Sequence, residues 1–174
     1  MISISTPSLD RKKIALRAIL LALTIVAGYA ERLIPFDFAV PGVKLGLPNA
    51  AVLIGLYLLS FRDGLIIVAF KCALTALLFG SAGSFLFSVC GSVLSFAAMC
   101  LAMKILKQKI SPVGVSVVGA VFHNAGQLAA AAPLLGTHKI FYYLPVLLVS
   151  GVIAGAAVGA IVGAAIKILK SVNI

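Results

Sequence analysis

Charged residues divide the chain into long apolar runs, with uncharged stretches at 18–30, 45–61, 64–70, 72–103, 110–138 and 140–166. A helix needs about 20 residues to cross the hydrocarbon core of a bilayer. The 72–103 stretch is too long for one helix and breaks at Gly80-Ser81-Ala82-Gly83-Ser84, a loop-like cluster. The pattern predicts six helices, near 14–34, 45–60, 64–79, 85–104, 113–135 and 144–167. This is an all-α integral membrane bundle, one domain over 14–170 behind a basic segment at 1–13. The second and third helices are short, so tilt or partial burial is expected of them.

Composition narrows the class. Of 174 residues, 63% are hydrophobic and 10% charged, with a mean hydropathy of +1.23. Soluble globular chains are about half apolar and a quarter charged, so a water-soluble enzyme and a disordered chain are both excluded. Charge is lopsided, 14 Lys+Arg against 4 Asp+Glu. With the N-terminus in the cytosol, the inner side holds Arg11, Lys12, Lys13, Arg17, Arg62, Lys104, Lys107, Lys109, Lys167 and Lys170. The outer side holds Arg32, Lys44 and Lys139, and Lys71 lies within a span. That inner excess predicts a multi-pass protein of the plasma membrane with both termini cytosolic. Binding nucleic acid would call for aromatics interleaved on a basic face, and the sequence has none. The first apolar run continues to Ala30 and meets Glu31-Arg32 without a convincing cleavage site, so no cleaved signal is expected.

Cys72, Cys90 and Cys100 form no CxxC pair and have no acidic or histidine neighbour at ligand spacing. They are expected to be small packing residues, with no metal site and no cofactor. Lipid gives helices no hydrophobic reason to associate, so small residues must let backbones approach. Gly151, Gly155, Gly159 and Gly163 recur every four residues on one face of the last helix and predict a close helix contact, with packing inside the chain favoured over a partner in another subunit. Ala15, Ala18 and Ala22 form a weaker version on the first helix.

Polar residues inside the spans carry the functional information. Lys71 is flanked by Ala69-Phe70 and Cys72-Ala73, where a lysine costs roughly 2.5–3.5 kcal/mol on insertion scales. It is expected to face a cavity or a structural partner. His123, Asn124 and Gln127 share one broad face of the fifth helix. Two readings stand side by side: a polar pocket open toward the outer leaflet, or interhelical hydrogen bonds that pack the bundle. The connection from Glu31 to Asn49 has three prolines and two glycines; it is either a rigid cap over an outward-facing cavity or an ordered connector. Lys44 and Asn49 would then stand at the pocket rim. Tyr142 and Tyr143 are expected to be interfacial anchors.

At these residues the chain resembles a known family. The stretch Glu31-Arg32-Leu33-Ile34-Pro35 through Val40-Pro41-Gly42-Val43-Lys44-Leu45-Gly46-Leu47-Pro48-Asn49 carries the resemblance, together with His123-Asn124-Ala125-Gly126-Gln127. Leu78-Phe79-Gly80, Ser111-Pro112-Val113-Gly114 and Tyr142-Tyr143-Leu144-Pro145 add to it. The chain is similar to the Gx transporter family, also labelled heptaprenyl diphosphate synthase component I. That family is related to the substrate-binding S components of energy-coupling factor (ECF) vitamin transporters, which are bacterial. The resemblance implies an S-component-like bundle with a substrate site toward the outer face. It also implies a transmembrane coupling subunit docked on the first helix, at Ala18 and Ala22, and partner ATPases, because this chain has no GK[ST] phosphate loop of its own.

The synthase label meets a chemical objection. Prenyl chain elongation holds magnesium on a diphosphate through clustered aspartates, and magnesium needs such oxygen ligands. Here the acids Asp10, Glu31, Asp37 and Asp63 are isolated from one another. The expectation is therefore no catalysis by this chain alone. The leading function is a membrane substrate-binding and transport component for a small organic molecule, using Lys71, His123, Asn124, Gln127, Lys44 and Asn49. The alternative is a non-catalytic membrane subunit of isoprenoid or quinone metabolism, or of quinone- and flavin-linked electron transfer.

Overall fold

A computed structural model describes residues 7–33, 46–79 and 82–171. Lys44, with Pro35, Pro41 and Gly42 of 34–45, and Gly80-Ser81 at the start of the 80–84 break lie outside the described residues. The described chain is all-α. Its six helices are α1 (Pro7–Leu33), α2 (Leu47–Leu58), α3 (Phe61–Phe79), α4 (Ala82–Leu106), α5 (Pro112–Leu135) and α6 (Leu144–Ser171), with short 3-10 turns at Lys107–Lys109 and His138–Tyr143. α1 begins several residues before the expected start, so Arg11, Lys12 and Lys13 are helical.

Local chemistry sets the helix ends. Ser60 opens α3: its hydroxyl accepts from the Asp63 N–H at 3.3 Å and donates to Asp63 Oδ2 at 2.7 Å, a reciprocal cap. Ser111 opens α5 by accepting from the Gly114 N–H at 3.2 Å, with Pro112 in the first turn. α5 ends at Gly136, whose φ of 61° suits glycine, while the Thr137 N–H closes onto Ala132 O at 3.3 Å.

Close contacts show that neighbouring helices run antiparallel. A methyl added at Gly55 (α2) would lie 3.8 Å from Leu20 of α1, and one at Gly28 (α1) 3.6 Å from Pro48 of α2. Gly64 of α3 meets Phe96 of α4, and Gly119 and Gly126 of α5 meet Met99 and Cys90 of α4. Gly151, Gly155 and Gly159 of α6 lie against Asn124, Val117 and Val113 of α5, whereas Gly163 has only Pro112 at 3.8 Å. These registers bring the start of α1, α3 and α5 to the same end as the finish of α2, α4 and α6. Arg11, Lys12, Lys13, Arg17, Arg62, Lys104, Lys107, Lys109, Lys167 and Lys170 all fall at that end.

α5 packs between α4 and α6, while among the described residues α1 touches only α2 and α3. α2 joins the two groups, reaching α1, α3, α5 and α6, and its Ala51, Val52, Leu53 and Ile54 are buried in the core with Leu20, Ile67, Phe96, Val115 and Val162. The other five helices carry exposed apolar side chains such as Val26, Leu77, Leu101, Phe122 and Ile153. An apolar exterior of that extent fits lipid rather than water. Among the described residues, four segments are long and apolar enough to cross a membrane: Arg11–Glu31, Phe85–Leu106, Pro112–Leu135 and His138–Ser171. α2, with 12 residues, reaches about 18 Å, well short of a bilayer core. α3 carries Arg62, Asp63 and Lys71 along its 19 residues.

Candidate functional site

α2 starts halfway up the bundle. Its third residue, Asn49, meets Lys71 of α3, and Lys71 in turn meets Ser92 of α4. Ser92 is ten residues from the start of α4, and its level on α5 falls near Asn124, about midway between Pro112 and Leu135. A helix that begins at this depth exposes backbone N–H groups where lipid offers no partner. The Gly46 N–H donates to Glu31 Oε1 of α1 at 2.5 Å. Gly46 itself has a φ of 73°, the left-handed region that favours glycine. A carboxylate at a helix N-terminus also suits the helix dipole.

Lys71 is 8% exposed. Its ammonium donates to Asn49 Oδ1 at 2.5 Å and to Ser92 Oγ at 3.0 Å. One turn along, Cys72 and Ser88 tie the same two helices: Cys72 Sγ lies 3.6 Å from Ser88 O, and Ser88 Oγ 3.8 Å from Cys72 Sγ. Ser88, Ser92 and Ser95 are all buried and share one face of α4, at i, i+4 and i+7. Reading the sequence for costly residues passes over this strip, because a serine costs little in a helix and is common there. The signal was its spacing, opposite a lysine.

His123 and Gln127 face α4 together. A methyl added at Gly91 would lie 2.7 Å from Gln127 Cγ and 3.0 Å from His123 Cε1, so the bare glycine is what admits both side chains. Gly91 is the residue before Ser92, so this pair stands at the depth of the Lys71 contact but against another face of α4. Asn124 turns the other way: its Nδ2 donates to Leu147 O of α6 at 2.7 Å. The structure thus joins Lys71 to Asn49 and Ser92, sets His123 and Gln127 against Gly91 of α4, and uses Asn124 to bond α5 to α6. Ala15, Ala18 and Ala22 are exposed on α1. Tyr142, Tyr143 and Lys139 are exposed in the 3-10 turn before α6.

Below the Lys71 level, toward the basic end, a small cavity is lined by Gly46, Asn49, Leu53, Ser95, Met99, Ser116, Gly119, Ala120, Gly155 and Val158. The three cysteines are free thiols. Among the described residues no three His, Cys, Asp or Glu side chains cluster as metal ligands would.

The fold and these residues define a helical protein of membrane type whose core holds a buried cation and an array of amide and hydroxyl groups. The chain matches the family described as heptaprenyl diphosphate synthase component I over residues 20–165, and it belongs to that family. No curated protein and no solved structure matches it.

Proposed function

We propose that the chain is a six-span membrane component that binds a small organic molecule within the bundle and carries it across the bilayer together with partner subunits. The observation that carries this reading is Lys71: a cation at mid-depth, met by a half-helix start and by a hydroxyl of α4. Intramembrane ionisable residues of this kind are costly and mark ligand or ion paths. His123 and Gln127 stand at the same depth on α5, and Lys44 would act at the rim. In this reading α2 and α3 complete the six spans as a tilted pair, α2 in the core and α3 with an apolar face toward lipid. The ten-cation end faces the cytosol of a bacterial cell, with both termini there. Exposed Ala15, Ala18 and Ala22 would receive a transmembrane coupling subunit, and ATPases would supply the energy.

The family description favours a second reading, an accessory membrane subunit of a prenyl diphosphate synthase. Both readings make the chain non-catalytic. Asp63 is held by Arg17 at the basic end, while Glu31 caps α2 at the level of Gly46, so these two carboxylates are not placed to share a magnesium ion.

Mass spectrometry of the small molecules that co-purify with the native chain tests the first reading. A bound organic molecule is expected, retained by Lys71→Arg and lost in Lys71→Met. A chain carrying only lipid in all three forms would sink it. Co-purification with ATPases that is abolished by Ala18→Trp would favour transport over the synthase role.

A further inference from the structure

We propose that the cavity between the start of α2 and helices α4, α5 and α6 is a binding subsite for a neutral carbonyl oxygen on an otherwise apolar molecule. The proposal deepens the reading above, because it rests on the chain binding a small molecule at all. Ser95 is 2% exposed and Ser116 7%, and both line the cavity. Ser95 Oγ lies 3.3 Å from where a methyl on Gly119 would stand, so it faces α5 across this space. Two buried serines from different helices line one space, and hydroxyls in such a space favour an occupant that can bond them.

The third polar group is Asn49. Lys71 occupies its Oδ1, which leaves the amide Nδ2 as the end with donors to offer. Ser95, Ser116 and Asn49 thus bring hydroxyl and amide donors to one cavity, and a carbonyl oxygen has two lone pairs to accept them. Leu53, Met99 and Val158 make the walls apolar, and Gly119 and Gly155 leave bare backbone on two sides.

Charge decides against ions. All the lining residues are uncharged. Lys71 reaches the edge through Asn49 and Glu31 through Gly46, so opposite charges stand at the boundary and neither enters. A carboxylate or ammonium placed inside would lose its hydration without a charged partner. The space, about 10 Å³, admits one oxygen-sized group. It therefore takes the end of a molecule, and a single water is the competing occupant.

Acetophenone, an uncharged aryl ketone, is a suitable probe of the full chain in lipid nanodiscs, with protein-free nanodiscs subtracted. Its carbonyl stretch, isotope-edited in the infrared, reports hydrogen bonding. Saturable binding with a carbonyl band shifted to lower frequency is expected. Ser95→Ala and Ser116→Ala should each weaken it about fivefold, and the double variant should lose the shift. Ser116→Thr keeps the hydroxyl and should retain both. Toluene, the same body without the oxygen, should not distinguish the wild type from the double variant. Benzoate and benzylammonium should bind more weakly than the ketone.

Undiminished acetophenone binding in a folded double variant, absence of saturable binding, or preference for either ion overturns the subsite; the first two are the results expected if water alone fills it. Failure here is separable from failure of the carrier reading. If the double variant still co-purifies with the native molecule that Lys71→Met loses, the subsite is wrong and the carrier reading stands. If the wild type carries no such molecule, the carrier reading falls first.

Discussion

Asp63 and Lys71 are the two charged side chains described as buried on α3, and they are held by different means. Lys71 has amide and hydroxyl oxygens for partners, whereas Asp63 has a guanidinium: Arg17 Nε lies 2.6 Å from its Oδ1. Asp63 sits in the first turn of α3, at the basic end and ahead of the apolar stretch that begins at Gly64. Burial pushes its carboxyl up, but the Ser60 hydrogen bonds and the Arg17 pair outweigh burial and hold it below the usual carboxylate range. The stabilisation is then complete above the unfolded pKa, about 3.9, and is lost as pH falls through the lowered folded value. Thermal unfolding of the detergent-solubilised protein should show a loss of stability below about pH 4. Asp63→Asn should be less stable at neutral pH and should lack that part of the acid dependence. An identical acid profile in both proteins would contradict the assignment.

Legibility at this scale was uneven. Lys71 stood out because a lysine in an apolar run has no cheap explanation. Asn49 was readable only as part of a loop rim, since no pattern of residues reveals that α2 begins at mid-depth. Asn124 and Gln127 share a helix face by spacing. Yet Asn124 goes to a carbonyl of α6 and Gln127 to the bare surface of Gly91 on α4, because a helical face about 100° wide can touch two neighbours.

Helices were the most readable elements, because charges and breakers mark their ends. Which helix meets which was not readable, since periodicity identifies a face and not its partner. The glycine row of α6 illustrates the difference. A methyl at Gly155 would meet the Val117 backbone Cα at 2.8 Å, whereas one at Gly163 would sit 3.8 Å from Pro112 side-chain carbon. Backbone cannot swing aside as a side-chain tip can. Gly155→Ala should therefore destabilise the protein by about 1–3 kcal/mol, the usual penalty of overpacking, and Gly163→Ala should be close to neutral. Denaturation in mixed micelles measures both. Equal losses would mean that the seam between α5 and α6 yields more readily than its contacts imply.

For the whole molecule, the feature with the widest reach is the shortness of α2 next to a charged α3. The membrane-insertion machinery partitions segments as they emerge, by length and apolarity. α1 qualifies by itself; the α2–α3 hairpin, with 12 residues in one arm and Lys71 in the other, does not. The hydroxyl that meets Lys71 belongs to α4, which is synthesised later. Biogenesis is therefore expected to run out of chain order, with the hairpin waiting outside the bilayer until α4 arrives to admit it. A reporter cysteine at the buried Ile67, in a chain with Cys72, Cys90 and Cys100 changed to alanine, makes the delay visible. A chain stopped after Phe79 should react with a water-soluble maleimide in opened membranes, and one extended through Leu106 should be protected. Protection in both would mean that the hairpin enters unaided.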